Sequence, residues 1–318
     1  MRLLAGDVGG TKTLLRCVEP DGAISRELRY DSTASPTFDD VLREFLAEGI
    51  PGPIDAACFA VAGPVIDAHA EVTNVGWRID EASLERAFSI GRVSLINDFY
   101  AVGLGVPLLG ADDVLSLQPG DHDRTAPIAI LGAGTGLGEA LVVNFGGEYQ
   151  VLPGEGGHAE FAPQDEEQTK LFLYLHRIHG HVSWERVISG LGLVNIFTFL
   201  TGETLDAAEI GTRANAGDPV AAHAFAIFVD AYGAEAGNMA LRTLARGGVY
   251  LAGGIAAKNI SWFTDGRFLD AFCRKGRFGH VMKTIPVDLI LNEKVGLIGA
   301  EEGARRAAAL ESPRRPTG

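Results

Sequence analysis

Two short glycine loops carry the first sign of chemistry. "LLAGDVGGTKTLL" (residues 3–15) sets Asp7 beside Gly9, Gly10 and Thr11, between two apolar runs. "APIAILGAGTGLGEALVV" (126–143) sets Gly134, Thr135 and Gly136 between apolar runs in the same way. A single Gly-Gly pair is most simply a tight turn, because glycine tolerates positive φ. Two such loops, each with a threonine, suit a phosphate ligand. Backbone N–H groups and hydroxyls donate to phosphate oxygens, and glycine lets the main chain approach. A carboxylate such as Asp7 belongs in a phosphate loop only with a divalent cation between them. The pieces fit a nucleoside triphosphate with Mg²⁺, Asp7 serving the metal directly or through water.

Competing phosphate motifs fail on spacing. A Walker loop needs GxxxxGK[ST], and no Gly-Lys step occurs in the chain. In "GAGTGLG" (132–138) Leu137 stands where a Rossmann fingerprint needs its third glycine, and the loop returns into a strand rather than a helix.

Other polar residues stand at element ends. "INDFYA" (96–101) places Asn97 and Asp98 where a strand gives way to a helix. Both types suit a helix N-cap. The pair also suits a sugar hydroxyl, which must both donate and accept. "LPGEGGHAEF" (152–161) brackets two glycines with Glu155 and His158, reading either as a surface turn or as the wall of a polyol pocket. Glu185 in "SWERVISGLGL" (183–193) sits at a helix start, where a carboxylate is stabilised in any case. "HRIHGH" (176–181) reads as a solvated helix end.

The elements that must position these residues alternate. Residues 2–6 and 13–19 read as a strand and its return, with "EPDGAI" (19–24) as a turn. "FDDVLREFLAE" (38–48) puts Phe38, Val41, Leu42, Phe45 and Leu46 on one helical face. "AACFAVAG" (56–63) and "VSLINDF" (93–99) read as buried strands, with a helix from Phe99. From residue 126 the opening design returns, Thr135 matching Thr11, which marks a weak internal repeat. A broken helical region (183–244), a strand "GVYLAGGI" (248–255) and a last helix (293–310) follow, and the tail "ESPRRPTG" is expected to be disordered. The class is α/β, in two domains.

Bulk composition agrees. The chain has 318 residues, long for one core. A net charge of −14 argues against nucleic acid and against an anionic membrane surface. Cys17, Cys58 and Cys273 are too widely spaced for a metal knuckle or a disulfide framework. No apolar run is long enough for a signal peptide or a membrane span, so a cytoplasmic protein is expected.

Taken together, "GDVGGTK", "INDFYAVGLGVPLL", "LGAGTGLG", "LPGEGGHAEFAP", "ERVISGLGLVN" and "LAGGI" resemble the bacterial ATP-dependent glucokinases, from residue 3 to about 303. The resemblance implies a two-domain actin-like (ribonuclease H-like) sugar-kinase fold with an interdomain cleft. It implies a small domain of residues 1–108 plus 299–318 and a large domain of 109–298. It implies ATP and Mg²⁺ as cofactors, glucose as substrate and a homodimer. By residue, it implies Asp98 as catalytic base and Asn97, Glu155, His158 and Glu185 as sugar ligands. Asp7 to Thr11 and Gly134 to Gly136 would be the phosphate loops, and Gly253 and Gly254 the adenosine contact. Family members usually continue the first loop with a small or amide residue and then arginine. Lys12, Thr13 and Leu14 follow here, as in wider sugar-kinase relatives that include repressors, but the zinc-binding cysteine cluster of those relatives is absent. The implied reaction moves the γ-phosphoryl group of ATP to the 6-hydroxyl of glucose. Mannose, glucosamine or fructose as acceptor, or a sugar-binding regulator without activity, are the alternatives. The regulators carry an N-terminal helix-turn-helix, whereas this chain opens on the phosphate strand.

Overall fold

The computed structural model describes residues 1–309 apart from 48, 51 and 73, so the expected disordered tail lies outside the described residues, as do the last residues of two expected helices, Glu48 and Leu310. The chain forms two compact units, one of residues 1–109 with 294 onward, the other of 110–293.

The first unit is built on a five-stranded sheet ordered β3-β2-β1-β4-β8. Its strands are β1 (Leu3–Val8), β2 (Lys12–Val18), β3 (Ile24–Asp31), β4 (Ala56–Val61) and β8 (Val93–Asn97). Between β4 and β8 in sequence lies a small antiparallel sheet of β5 (Val65–Ile66), β6 (His69–Val72) and β7 (Trp77–Asp80). β4 is buried on both faces, and its alternation decides what packs on each. Ala57, Phe59 and Val61 join Phe38, Val41, Leu42 and Phe45 of the helix Phe38–Ala47. Ala56, Cys58 and Ala60 face the last helix, Val295–Ala309, where small side chains let Leu297, Ala300, Ala304 and Ala307 lie close. Arg16 of β2 fastens that helix by bonding both Glu27 and Glu301.

The second unit repeats the plan. Its sheet is ordered β12-β11-β10-β13-β14-β9, from β9 (Val114–Gln118), β10 (Ile128–Ala133), β11 (Leu137–Phe145), β12 (Glu148–Gly154), β13 (Gly248–Ala252) and β14 (Val287–Ile290). Without the edge strand β9, order and direction match the first sheet: two antiparallel pairings, then two parallel ones. The repeat marked by Thr11 and Thr135 is therefore structural, the threonines lying in the matching loops between β1 and β2 and between β10 and β11. The helix Pro219–Thr243 runs under this sheet. Asp218 caps it by accepting from Val220 N and Ala221 N, and Pro219 fits its first turn. Tyr232 from this helix reaches the end of β10, where its hydroxyl accepts from Ala133 N and donates to Leu131 O, both at 3.2 Å.

Candidate active site

Each glycine loop closes on itself and leaves donors over. In the first, Gly9 N donates to Lys12 O at 2.9 Å, and Ser32 holds the loop by donating to the Gly9 and Thr11 carbonyls. In the second, Gly134 N donates to Gly136 O at 2.9 Å and Gly134 O accepts from Gly190 N at 2.8 Å. Among the described residues, the N–H groups of Gly10, Thr11, Thr135 and Gly136 make no such bond, and the side chains of Thr11 and Thr135 are exposed. These are the groups an anion would meet.

Asn97 ends β8 and caps the next helix, Asp98–Gly105, which begins one residue earlier than its sequence suggests. Its Oδ1 accepts from Phe99 N and Tyr100 N, and its Nδ2 donates to Gly63 O at 3.2 Å. The capping reading thus holds for Asn97, and one amide hydrogen remains beyond the Gly63 bond for a ligand. Asp98 is in the first helical turn, its Oδ1 accepting from Phe99 N at 2.8 Å. The carboxyl of Asp7, in β1, accepts no hydrogen bond among the described residues. Burial first, then the charge of Asp98, pushes its carboxyl up to about 6, against a lowering by Lys12. A buried acid held against a second acid is a donor set that suits a hard cation.

In the second unit, Gly154 ends β12 and the turn Gly156–His158 follows. Glu155 is 86% exposed at its side chain, with Oε2 lying 3.9 Å from His158 Nε2. Trp184 N donates to Ala159 O at 2.9 Å, and this brings the turn Trp184–Arg186 beside the loop. There Glu185 reaches the second glycine loop, its Oε2 accepting from Leu137 N at 3.0 Å. Gly253 and Gly254 follow β13, whose last pairing, Gly132 with Ala252, sets them next to that same loop. One unit thus gathers Asp7, Gly9, Gly10, Thr11, Asn97 and Asp98. The other gathers Gly134, Thr135, Gly136, Glu155, His158, Glu185, Gly253 and Gly254.

A family profile described as Glucokinase matches residues 4–307. The chain is 44% identical to the glucokinase of Nostoc sp. PCC 7120, the match covering 96% of this chain and 99% of the relative. The chain belongs to the glucokinase family. It is an enzyme, and it phosphorylates glucose. Its fold superposes on the crystal structure of a glucokinase from an Antarctic psychrotroph with a TM-score of 0.86, at 29% identity over 96% of this chain and 99% of that one. A ROK family glucokinase from Streptomyces griseus, solved with glucose and AMPPNP, shares the fold at a TM-score of 0.65 and 22% identity, over 96% of this chain and 100% of that one.

Against this glucokinase fold, three supporting residues escape a reading by motif. Ser32 holds the first loop, Tyr232 holds the strand that feeds the second, and Glu139 lies buried beneath the Glu155 loop. Only Glu139 left a sequence signal. It alternates with Leu137 and Leu141, so a carboxylate occupies an inward position of an apolar strand.

Proposed function

We propose that this glucokinase transfers the γ-phosphoryl group of ATP to the 6-hydroxyl of glucose, with Asp98 accepting the hydroxyl proton. The observation that carries this reading is the acid at the head of the helix Asp98–Gly105. Its carboxyl is pinned by Phe99 N in the same unit as Asp7 and the first glycine loop. A primary alcohol is a poor nucleophile at neutral pH, and general-base help is worth roughly 10²–10⁴-fold. The remaining barrier is met by alignment and by donors aimed at the phosphoryl oxygens. Gly10, Thr11, Thr135 and Gly136 supply such donors. Asp7 is the residue that would hold Mg²⁺, which when bound neutralises charge on the phosphates. Asn97, Glu155, His158 and Glu185 bind the sugar hydroxyls, and Gly253 and Gly254 meet the adenosine. Among the described residues, no helix is long and apolar enough to cross a membrane. We read the working form as a cytoplasmic homodimer, for which native mass measurement in solution is the check.

The test is Asp98→Asn. The expected result is turnover lower by roughly 10²–10⁴-fold, with glucose still binding by calorimetry. Near-normal turnover would refute the assignment.

A further inference from the structure

Glu139 is 4% exposed and its Oε1 has no hydrogen-bond partner among the described residues. Such a group is rare in a native core and calls for a role. It lies in β11, directly opposite Gly154, the last residue of β12. The next turn runs over its side chain so closely that a Cβ added at Gly156 would overlap Glu139 Oε2 and stand 3.4 Å from Glu139 Cβ. Any side chain at 156 would displace either the carboxyl or the loop. Glycine at 156 and glutamate at 139 are therefore one device, a bare stretch of backbone seated on a buried acid.

We propose that Glu139 is a positioning residue for the loop Gly154–His158, its carboxyl forming the floor that sets where Glu155 and His158 stand. The inference rests on reading that loop as the sugar loop. Its reach is limited to glucose, because the floor touches the loop and not the nucleotide-side glycines.

The surroundings determine how the floor works. Glu235, fully buried in the long helix below, accepts from Asn238 Nδ2 at 2.8 Å and from Arg242 at 3.0 Å. Arg242 is thus spent on Glu235, and Lys275 donates to Ala234 O and Asn238 Oδ1. Tyr232 approaches from the same helix, and Glu155 and His158 lie on the turn above. Burial, then the charge of Glu235, pushes the Glu139 carboxyl up to about 8, with Arg242 opposing. At neutral pH the floor is a neutral acid. As it ionises, a charge forms on a buried carboxyl whose Oε1 has no hydrogen-bond partner among the described residues, and the loop must shift to supply one.

The experiment measures KM for glucose and for ATP from about pH 7 to about pH 9.5 in the wild type, Glu139→Gln and Glu139→Ala, with melting curves for each. In the wild type, the glucose KM is expected to rise roughly thirtyfold across that range as the competent fraction falls, while the ATP KM stays level. Glutamine copies the neutral acid, so Glu139→Gln keeps the wild-type glucose KM at pH 7 and loses the rise. Lys275, lowered to about 8 by burial, titrates in the same window. It remains in the Gln variant, so any rise it causes remains too. Glu139→Ala removes the floor and raises the glucose KM at every pH. A glucose KM that is flat in the wild type, or that rises equally in Glu139→Gln, overturns the proposal, as does an equal loss for both substrates in a folded Glu139→Ala. Glu155→Gln separates the underlying reading. If it leaves the glucose KM unmoved, the loop is not the sugar loop and this inference falls with it. If it raises that KM while the pH behaviour fails, only the floor is refuted.

Discussion

In the proposed function Glu185 is a sugar ligand whose side chain also touches the second glycine loop. Its Oε2 accepts from Leu137 N, immediately after the second glycine loop, while its backbone carbonyl accepts from Ser189 Oγ at 2.7 Å. Glu185→Ala is therefore expected to raise the KM of both ATP and glucose, each by roughly five- to tenfold, the loss of about one hydrogen bond of 1–1.5 kcal/mol. Glu155, exposed and touching no glycine loop, is expected to raise only the glucose KM when changed to Gln. Steady-state kinetics with each substrate varied in turn separates the two. Glu139 adds a stability signature. Its folded carboxyl keeps a proton up to about 8, whereas the unfolded chain gives it up near the ordinary value of 4.5. The stability tied to the neutral acid is complete below the unfolded value and is lost as pH rises through the folded one. Glu139→Gln escapes that loss. It is expected to gain on the wild type from about pH 5 to about pH 8, by on the order of 3 kcal/mol at neutral pH, in denaturant titrations. At this scale residue type alone points to a phosphate ligand at Asp7 and the threonines, whereas Asp98 reads by type as a cap or a hydroxyl ligand and its role as base comes only with the resemblance. It is least legible at Ser32 and Tyr232, whose roles depend on partners far along the chain.

Elements convert those residues into geometry. The helix Asp98–Gly105 lies against the last helix so tightly that a Cβ at Gly299 would overlap the Ala101 carbonyl oxygen. That approach holds Asp98 and Asp7 in one neighbourhood. Gly299→Ala is expected to destabilise the fold by about 1–3 kcal/mol through overpacking, read as a lower denaturation midpoint. It is also expected to lower turnover before it unfolds the protein, since Asp98 rides on the displaced helix. Strands and helices were readable here because burial imposes period: Phe38, Val41, Leu42 and Phe45 on one helix, alternation along β4. The strand β14 has only four residues, and the edge strand β9 has no buried residue to set an apolar pattern, so neither announces itself. The start of the helix at Asp98 was blurred because Asn97 is both the end of a strand and a cap.

Across the whole molecule, one plan is used twice, and the first unit needs the far end of the chain to complete it. Leu297, Ala300, Ala304 and Ala307 bury one face of its sheet, and Glu301 bonds Arg16. A chain shortened to residue 293 is expected to expose that face, to lose cooperative unfolding in the first unit and to lose all turnover. Circular dichroism melts beside a coupled kinase assay read both. The duplication was visible from two threonine loops, whereas the shared strand order was not, because pairing partners are set by packing over long separations. The central claim remains the proton acceptor. A crystal of this glucokinase with glucose and an unreactive ATP analogue measures it most directly. An Asp98 carboxylate oxygen is expected about 2.6–3.2 Å from the sugar's 6-hydroxyl oxygen. An Asp98 turned away from that oxygen, or another acid in its place, would contradict it.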